Sequence, residues 1–88
     1  MVNFCNLHVH SQYSFLDGYG TSKQYIERLN KVNQDCLAVT DHGNIFAHIP
    51  FQQDFKQAGK HLVFGCEFYI VEKIINDRGY NHITVLAE

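Results

Sequence analysis

The residues best suited to chemistry in this 88-residue chain are two histidines that alternate along one short apolar segment. His8 and His10 flank Val9, and because successive side chains of a strand point to opposite faces, both imidazoles project to the same side. Neutral imidazole is the commonest metal ligand. Asp17 follows in a polar loop, where its carboxylate completes an N/O donor set suited to zinc, manganese or iron. The alternative is a strand end with two histidines exposed to solvent.

Further ligand types follow the later apolar segments. His42 comes after the second segment, Glu67 after the third, and His82 lies on the last. The carboxyl ends of parallel strands are where α/β folds assemble their sites, so these side chains are expected to converge on one rim. We therefore predict a metal site formed by His8, His10, Asp17, His42, Glu67 and His82.

The chemistry expected of such a rim is hydrolysis at more than one metal ion. Paired ions about 3.5–4 Å apart clamp the attacking and leaving oxygens of a phosphoryl transfer. Glu67 is the best candidate for bridging two ions, because a carboxylate has two oxygens to share and an imidazole has one usable lone pair. Glu67 and Asp17 are accordingly the predicted catalytic residues.

The neighbours of the predicted ligands have less specific roles. Asp41 and Asn44, on either side of His42 in the sequence, are expected to orient ligands without touching the metal. For both, a role in capping or turning the loop fits equally well. His48 and His61 do not fit the pattern of strand ends, and we predict that both are surface residues.

The positions of turn residues and the spacing of apolar residues predict alternating strands and helices. Thr21 and Gln24 form a capping-box signature, Asn33 suits the end of the helix that follows, and Pro50 suits the first turn of a second helix. We predict parallel strands over 4–10, 36–40 and 62–64, the first buried on both faces. We also predict helices over 22–32 and 49–58, extended chain over 68–71, a turn over 76–79 and a final strand over 82–87.

Composition narrows the choice of partners. The chain is 45% hydrophobic with a net charge of −2, so it has no basic face for neutralising phosphates, and metal ions or a larger protein would have to supply positive charge to a DNA partner. No segment resembles a signal peptide or a membrane span, and cytoplasm is the expected location. Cys5, Cys36 and Cys66 lack Cys-x-x-Cys spacing and are predicted to be reduced, buried thiols.

Several motifs together resemble the polymerase and histidinol phosphatase (PHP) superfamily, and most closely the N-terminal PHP domains of bacterial DNA polymerase III alpha subunits. The resemblance implies part of a distorted (β/α)7 barrel, with helices outside and up to three metal ions on its rim. His8, His10, Asp17, His42, Glu67 and His82 match ligand positions of that family. The motifs are His8-Val9-His10-Ser11, Tyr13-Ser14-x-x-Asp17-Gly18, Ala38-Val39-Thr40-Asp41-His42-Gly43-Asn44, Gly65-Cys66-Glu67-x-Tyr69 and His82-Ile83-Thr84-Val85-Leu86-Ala87.

The activity implied by the resemblance is that of a metal-dependent phosphoesterase, which in an intact parent would be a 3′–5′ exonuclease or proofreading activity on DNA. One alternative is a structural or interaction module of a replicative polymerase whose metal serves stability only. A second is a small-molecule phosphatase of the histidinol phosphatase type. Asp17 disfavours the second, because polymerase members often have aspartate where small-molecule phosphatases more often have histidine.

The chain is shorter than a complete barrel of this kind. A complete α/β barrel needs about 200–250 residues, and the family's remaining ligands would lie beyond residue 88. We therefore expect residues 1–88 to form a single, truncated PHP domain whose partner is the remainder of a polymerase. An open sheet edge would also promote self-association.

Overall fold

The computed structural model describes residues 4–72 and 79–88. Apart from the third strand, the bounds lie within two residues of those predicted, and the turn predicted over 76–79 falls outside the described residues except for Gly79. Within the described ranges, no helix is both long and apolar enough to cross a membrane. The elements are β1 (Asn6–Val9), α1 (Ser22–Lys31), β2 (Cys36–Val39), α2 (His48–Gln57), β3 (His61–Ile70) and β4 (Asn81–Leu86).

The four strands form one sheet in the order β1-β2-β3-β4. β1 and β2 are parallel, as are β2 and β3, whereas β4 runs antiparallel to β3. The third strand is continuous over ten residues rather than a short strand followed by separate extended chain, because its second half pairs with β4 from Gly65 to Ile70. The predicted α/β class with mostly parallel strands is confirmed.

α1 begins at the predicted capping box. The hydroxyl of Thr21 accepts from the Gln24 amide at 3.3 Å, and the Gln24 side chain accepts from the Thr21 amide at 2.9 Å, so two otherwise unpaired donors are satisfied. Leu29 buries the apolar face of the helix. Asn33, just beyond the helix, has a φ of 55°, the left-handed conformation predicted for that position.

α2 supplies the two largest core side chains. Phe51 and Phe55 are each 1% exposed and lie one helical turn apart with ring centroids 5.9 Å apart. Burying a side chain of this size stabilises the fold by about 1.5–3 kcal/mol. Pro50 lies in the first turn, as predicted, where its missing N–H costs no helical hydrogen bond. The buried cluster is completed by Val9, Leu29, Leu37, Val39 and Ala47.

The expectation that the first strand is buried on both faces was wrong. Asn6, Leu7 and His8 of β1 are exposed, and only Val9 is buried. β1 lies at one edge of the described sheet and pairs there with β2 alone, so much of its surface faces solvent.

The prediction of three reduced cysteines was also wrong for two of them. Cys5 and Cys36 form a disulfide with a Cα–Cα distance of 5.1 Å. The parallel register that places Asn6 opposite Leu37 sets the residues before them side by side, within disulfide reach. Sequence spacing could not show this proximity, because it depends on the pairing of two strands. Cys66 is a free, buried thiol as predicted.

Candidate metal centre

β1 directs two imidazoles to the carboxyl end of the sheet. Val9, between them, is anchored to β2 because its carbonyl accepts from the Thr40 amide at 2.8 Å. The carbonyl of His10 accepts the hydroxyl of Tyr25 from α1 at 2.6 Å. The ring centroids of His8 and His10 lie 5.1 Å apart, and both rings reach the same carboxylate. The strand alternation inferred from the sequence is therefore the geometry observed.

That carboxylate belongs to Glu67, which is 4% exposed. Its Oε2 contacts Nε2 of His8 and lies 2.8 Å from Nε2 of His10. Its Oε1 contacts Nδ1 of His82 and lies 3.3 Å from Nδ1 of His42. A single buried carboxylate thus faces four imidazoles, two on each oxygen.

The backbone around Glu67 fixes it in this position. Its amide donates to the Asp41 carbonyl, and its carbonyl accepts from the Gly43 amide, both at 2.9 Å. Burial alone raises the pKa of Glu67, but the hydrogen bonds from the surrounding imidazoles outweigh burial and lower the pKa from 4.5 to about 2. The side chain is held as an anion, the form that binds metal.

The loop between β1 and α1 brings in a second carboxylate. Oδ2 of Asp17 contacts Nε2 of His42 and lies 2.9 Å from Nδ1 of His10. The hydrogen bond with His42, and then that with His10, lower the pKa of Asp17 below its ordinary value. The rings of His10 and His42 are 4.0 Å apart, so Asp17 joins the ends of β1 and β2.

The six residues predicted from the sequence are therefore all brought together. Their ligand atoms form three overlapping groups, and within each group the atoms lie within 4.8 Å of one another. The shared members are His10, His42 and Glu67. The groups are His8, His10 and Glu67; His10, Asp17 and His42; and His42, Glu67 and His82.

The donor set fits a divalent cation. A neutral imidazole has one N–H and one lone pair, yet both ring nitrogens of His10 face carboxylate oxygens. One of these contacts sets lone pair against lone pair unless a cation or an added proton lies between them. Nδ1 of His42 is buried and has no hydrogen-bond partner among the described residues, since the Glu67 oxygen 3.3 Å away is not at hydrogen-bonding geometry. These nitrogens are suited to donate to a metal.

The two residues expected to orient ligands both contact the β1–α1 loop. Asp41 is 1% exposed, and its carboxylate accepts hydrogen bonds from Ser11 and Ser14 in the β1–α1 loop. Among residues 4–72 and 79–88, no imidazole donates a hydrogen bond to this carboxylate. Asn44 donates to the carbonyls of Tyr13 and His42 at 3.1 and 3.0 Å. Both residues thus tie the loop to the segment that follows β2.

Sequence reasoning missed the contributions of the two loop serines and of two tyrosines. Ser11 and Ser14 donate hydrogen bonds to the buried Asp41. In the sequence, the only indication of this role is that both serines follow the His-x-His motif closely. Tyr69 stacks on His42, with an interplanar angle of 9° and a centroid distance of 6.4 Å. The hydroxyl of Tyr25 donates to the His10 carbonyl.

The remaining two histidines lie outside the three groups of potential ligands. His61 is exposed, as predicted. His48 is half-buried rather than on the surface, because its Nε2 binds the Gly65 carbonyl at 2.8 Å and its ring lies 5.1 Å from that of Phe64.

Comparison with known proteins defines the family to which this chain belongs. The family described as PHP domain matches residues 6–88, so the chain belongs to the PHP domain family. Among curated proteins it is 36% identical over 94 aligned residues to the DNA polymerase III subunit alpha of Treponema pallidum. It is 42% identical over 69 residues to that of Borreliella burgdorferi. The alignments cover 99% and 78% of this chain but only 8% and 6% of those relatives.

Solved structures share the fold. A protein from Bifidobacterium adolescentis, provisionally assigned as a metal-dependent phosphoesterase, superposes with a TM-score of 0.75 at 21% identity. An amidohydrolase from Chromobacterium violaceum, solved with sulfate and without metal, gives 0.73 at 27% identity. Each match covers 93% of this chain and 27% of the other. The described sheet and its two helices therefore correspond to a half-barrel of the PHP type.

Proposed function

We propose that the rim cluster is the divalent-metal site of a PHP-type phosphoesterase. The observation that carries this proposal is the buried Glu67 carboxylate, which imidazoles approach at both oxygens. A carboxylate flanked by imidazole nitrogens on both oxygens is an N/O donor set of the kind that holds a divalent cation. The residues that would hold the metal are His8, His10, Asp17, His42, Glu67 and His82.

Each carboxylate has a distinct task in this proposal. Glu67 can serve two ions at once, because Oε2 faces His8 and His10 while Oε1 faces His42 and His82. When bound, a divalent ion supplies activation of water and neutralises charge on a phosphate oxygen. The Asp17 side chain is 57% exposed, so it lies where an incoming substrate can reach it. Zinc, manganese and iron all suit the N/O donor set.

The polymerase relatives support a proposal for the substrate class. We propose that in a longer parent protein the site hydrolyses DNA phosphodiesters, in a 3′–5′ exonuclease or proofreading reaction. The net charge of −2 provides little attraction for phosphates, so bound metal ions and the remainder of the polymerase would supply it. DNA and the remainder of the polymerase are the proposed partners.

The exposed surface of β3 and β4 favours a second candidate, a structural PHP module that braces a polymerase and keeps its metal only for stability. Phe68, Ile70, Ile83 and Val85 are each 44–48% exposed, and neighbouring exposed apolar side chains of this kind can mark an interaction surface. In this candidate that surface packs against the remainder of the polymerase or against a docked proofreading partner. Self-association through an open edge strand is the corresponding expectation for the isolated chain.

The test is metal content per chain, measured by elemental analysis after purification without added metal or chelator. Glu67→Ala and His8→Ala are expected to lower it, and both are expected to abolish DNA hydrolysis in a longer PHP domain. His61→Ala is the matched control, because His61 is exposed and outside the cluster. Unchanged metal content in Glu67→Ala or His8→Ala would contradict the assignment. Metal binding without hydrolysis in the longer protein would favour the structural module.

A further inference from the structure

Asp41 is the most deeply buried carboxylate beside the site, and all of its described side-chain hydrogen bonds go to one loop. Oδ1 accepts from the Ser11 amide at 2.6 Å and from the Ser14 hydroxyl at 2.7 Å. Oδ2 accepts from the Ser11 hydroxyl at 2.6 Å. Three hydrogen bonds to a residue just beyond the end of β2 hold the start of the β1–α1 loop against that strand.

Ser14 also forms hydrogen bonds with the backbone of two of the potential ligands, Asp17 and His42. Its carbonyl accepts from the amides of Asp17 and Gly18, at 3.1 and 2.8 Å, and closes the one-turn segment that carries the Asp17 side chain. Its hydroxyl also accepts from the His42 amide at 3.0 Å. One serine therefore contacts the backbone of both residues that approach each other across the rim.

We infer that Asp41 is a positioning residue, which acts through Ser11 and Ser14 to set the spacing of Asp17 and His42 before any metal binds. The clamp is defined as Asp41, Ser11 and Ser14. Its effect on metal affinity rests on the proposed function, whereas its effect on the loop does not. Partners that orient metal ligands typically change metal affinity by about 10- to 100-fold when they are removed.

The first experiment measures Zn²⁺ affinity of the 88-residue chain by competition with a chromophoric chelator. Ser14→Ala and Asp41→Ala are expected to weaken binding by about 10- to 100-fold. Asp41→Asn is expected to restore most of the affinity, because its amide oxygen can accept from Ser11 and Ser14 while its NH₂ donates to the Ser11 hydroxyl. If Asp41→Asn is as weak as Asp41→Ala, the charge rather than the clamp matters, and the inference fails.

A matched control separates positioning from general stability. Ser22→Ala removes another buried serine hydroxyl that donates to a carboxylate, that of Asp54 on α2. Among the described hydrogen bonds, this hydroxyl has none with the clamp residues. Ser22→Ala is expected to lower the free energy of unfolding while leaving Zn²⁺ affinity unchanged. Equal losses of affinity in Ser22→Ala and Ser14→Ala would overturn the inference.

A second experiment needs no metal and keeps the inference distinct from the proposed function. In the metal-free chain, the amides of Asp17 and Gly18 are expected to exchange with deuterium faster in Ser14→Ala and Asp41→Ala than in wild type. The Thr40 amide, which donates to Val9 within the sheet, should stay protected. A wild-type chain that binds no Zn²⁺ contradicts the proposed function alone. Unchanged exchange at Asp17 and Gly18 in both variants overturns the clamp.

Discussion

Gly18 offers the sharpest test of how closely the site depends on its loop. A Cβ built at Gly18 would lie 2.5 Å from the carbonyl oxygen of Ser11 and 3.1 Å from Cβ of His10. Ordinary contact begins at 3.4 Å, so Gly18→Ala must displace the loop or the end of β1 by about 0.9 Å. Metal–ligand distances hold to within about 0.2 Å. The adjacent Asp17 is therefore expected to move too far from His10 for both side chains to bind the same metal ion.

The assay is divalent-metal affinity by chelator competition, with urea unfolding of the metal-free chain in parallel. Gly18→Ala is expected to weaken binding by about 10- to 100-fold. Gly59→Ala is the control: Gly59 has a φ of 69° with no atom within 4 Å of a built Cβ, so alanine there costs about 1 kcal/mol of backbone strain. That variant is expected to lose stability and keep its metal affinity.

The reasoning would be refuted by a Gly18→Ala chain that binds metal as tightly as wild type. It would also be refuted if the two alanine variants lost affinity equally, because the loss would then follow global stability rather than the position of Asp17. A Gly18→Ala chain that folds normally but binds weakly is the expected result.

Three further predictions concern acid, thiols and reduction. The lowered pKa of Glu67 implies a contribution to folding stability that is fully present above about pH 4.5 and is lost as pH falls towards about 2. In urea unfolding of the metal-free chain, Glu67→Gln should weaken this dependence of stability on pH. An unchanged pH profile in Glu67→Gln would contradict the prediction. Burial raises the pKa of the Cys66 thiol, so iodoacetamide, with labelling followed by mass spectrometry, should modify it only as the chain unfolds. Rapid labelling of the folded chain would contradict this prediction. Reducing the Cys5–Cys36 disulfide, which spans 31 residues, should lower the free energy of unfolding by about 4 kcal/mol; Cys5→Ser should match reduced wild type in urea unfolding.

Local signals determined much of the architecture. The capping box at Thr21 and the left-handed Asn33 depend on residues within a few positions of each other, so both ends of α1 could be read from the sequence. The same holds for Pro50 in the first turn of α2. His8 and His10 share a face because strand alternation is a local property of the backbone.

The sequence by itself also indicated the six potential ligands, because each follows or lies on an apolar strand and parallel strands assemble their sites at one end. It could not show that Glu67 would lie at the centre with imidazoles on both oxygens. That arrangement depends on β4 pairing antiparallel to β3, so that His82 lies opposite Tyr69, a register set by packing rather than by spacing.

Pairings between distant segments were decided only by the tertiary structure. The Cys5–Cys36 disulfide and the exposure of β1 both follow from strand order, which no short motif encodes. The clamp around Asp41 joins residues about 30 positions apart, and in the sequence Asp41 is equally compatible with a simple turn residue. The chain supplied the ligand types and their local geometry, and the sheet decided which of them meet, because contacts between strands depend on register and burial.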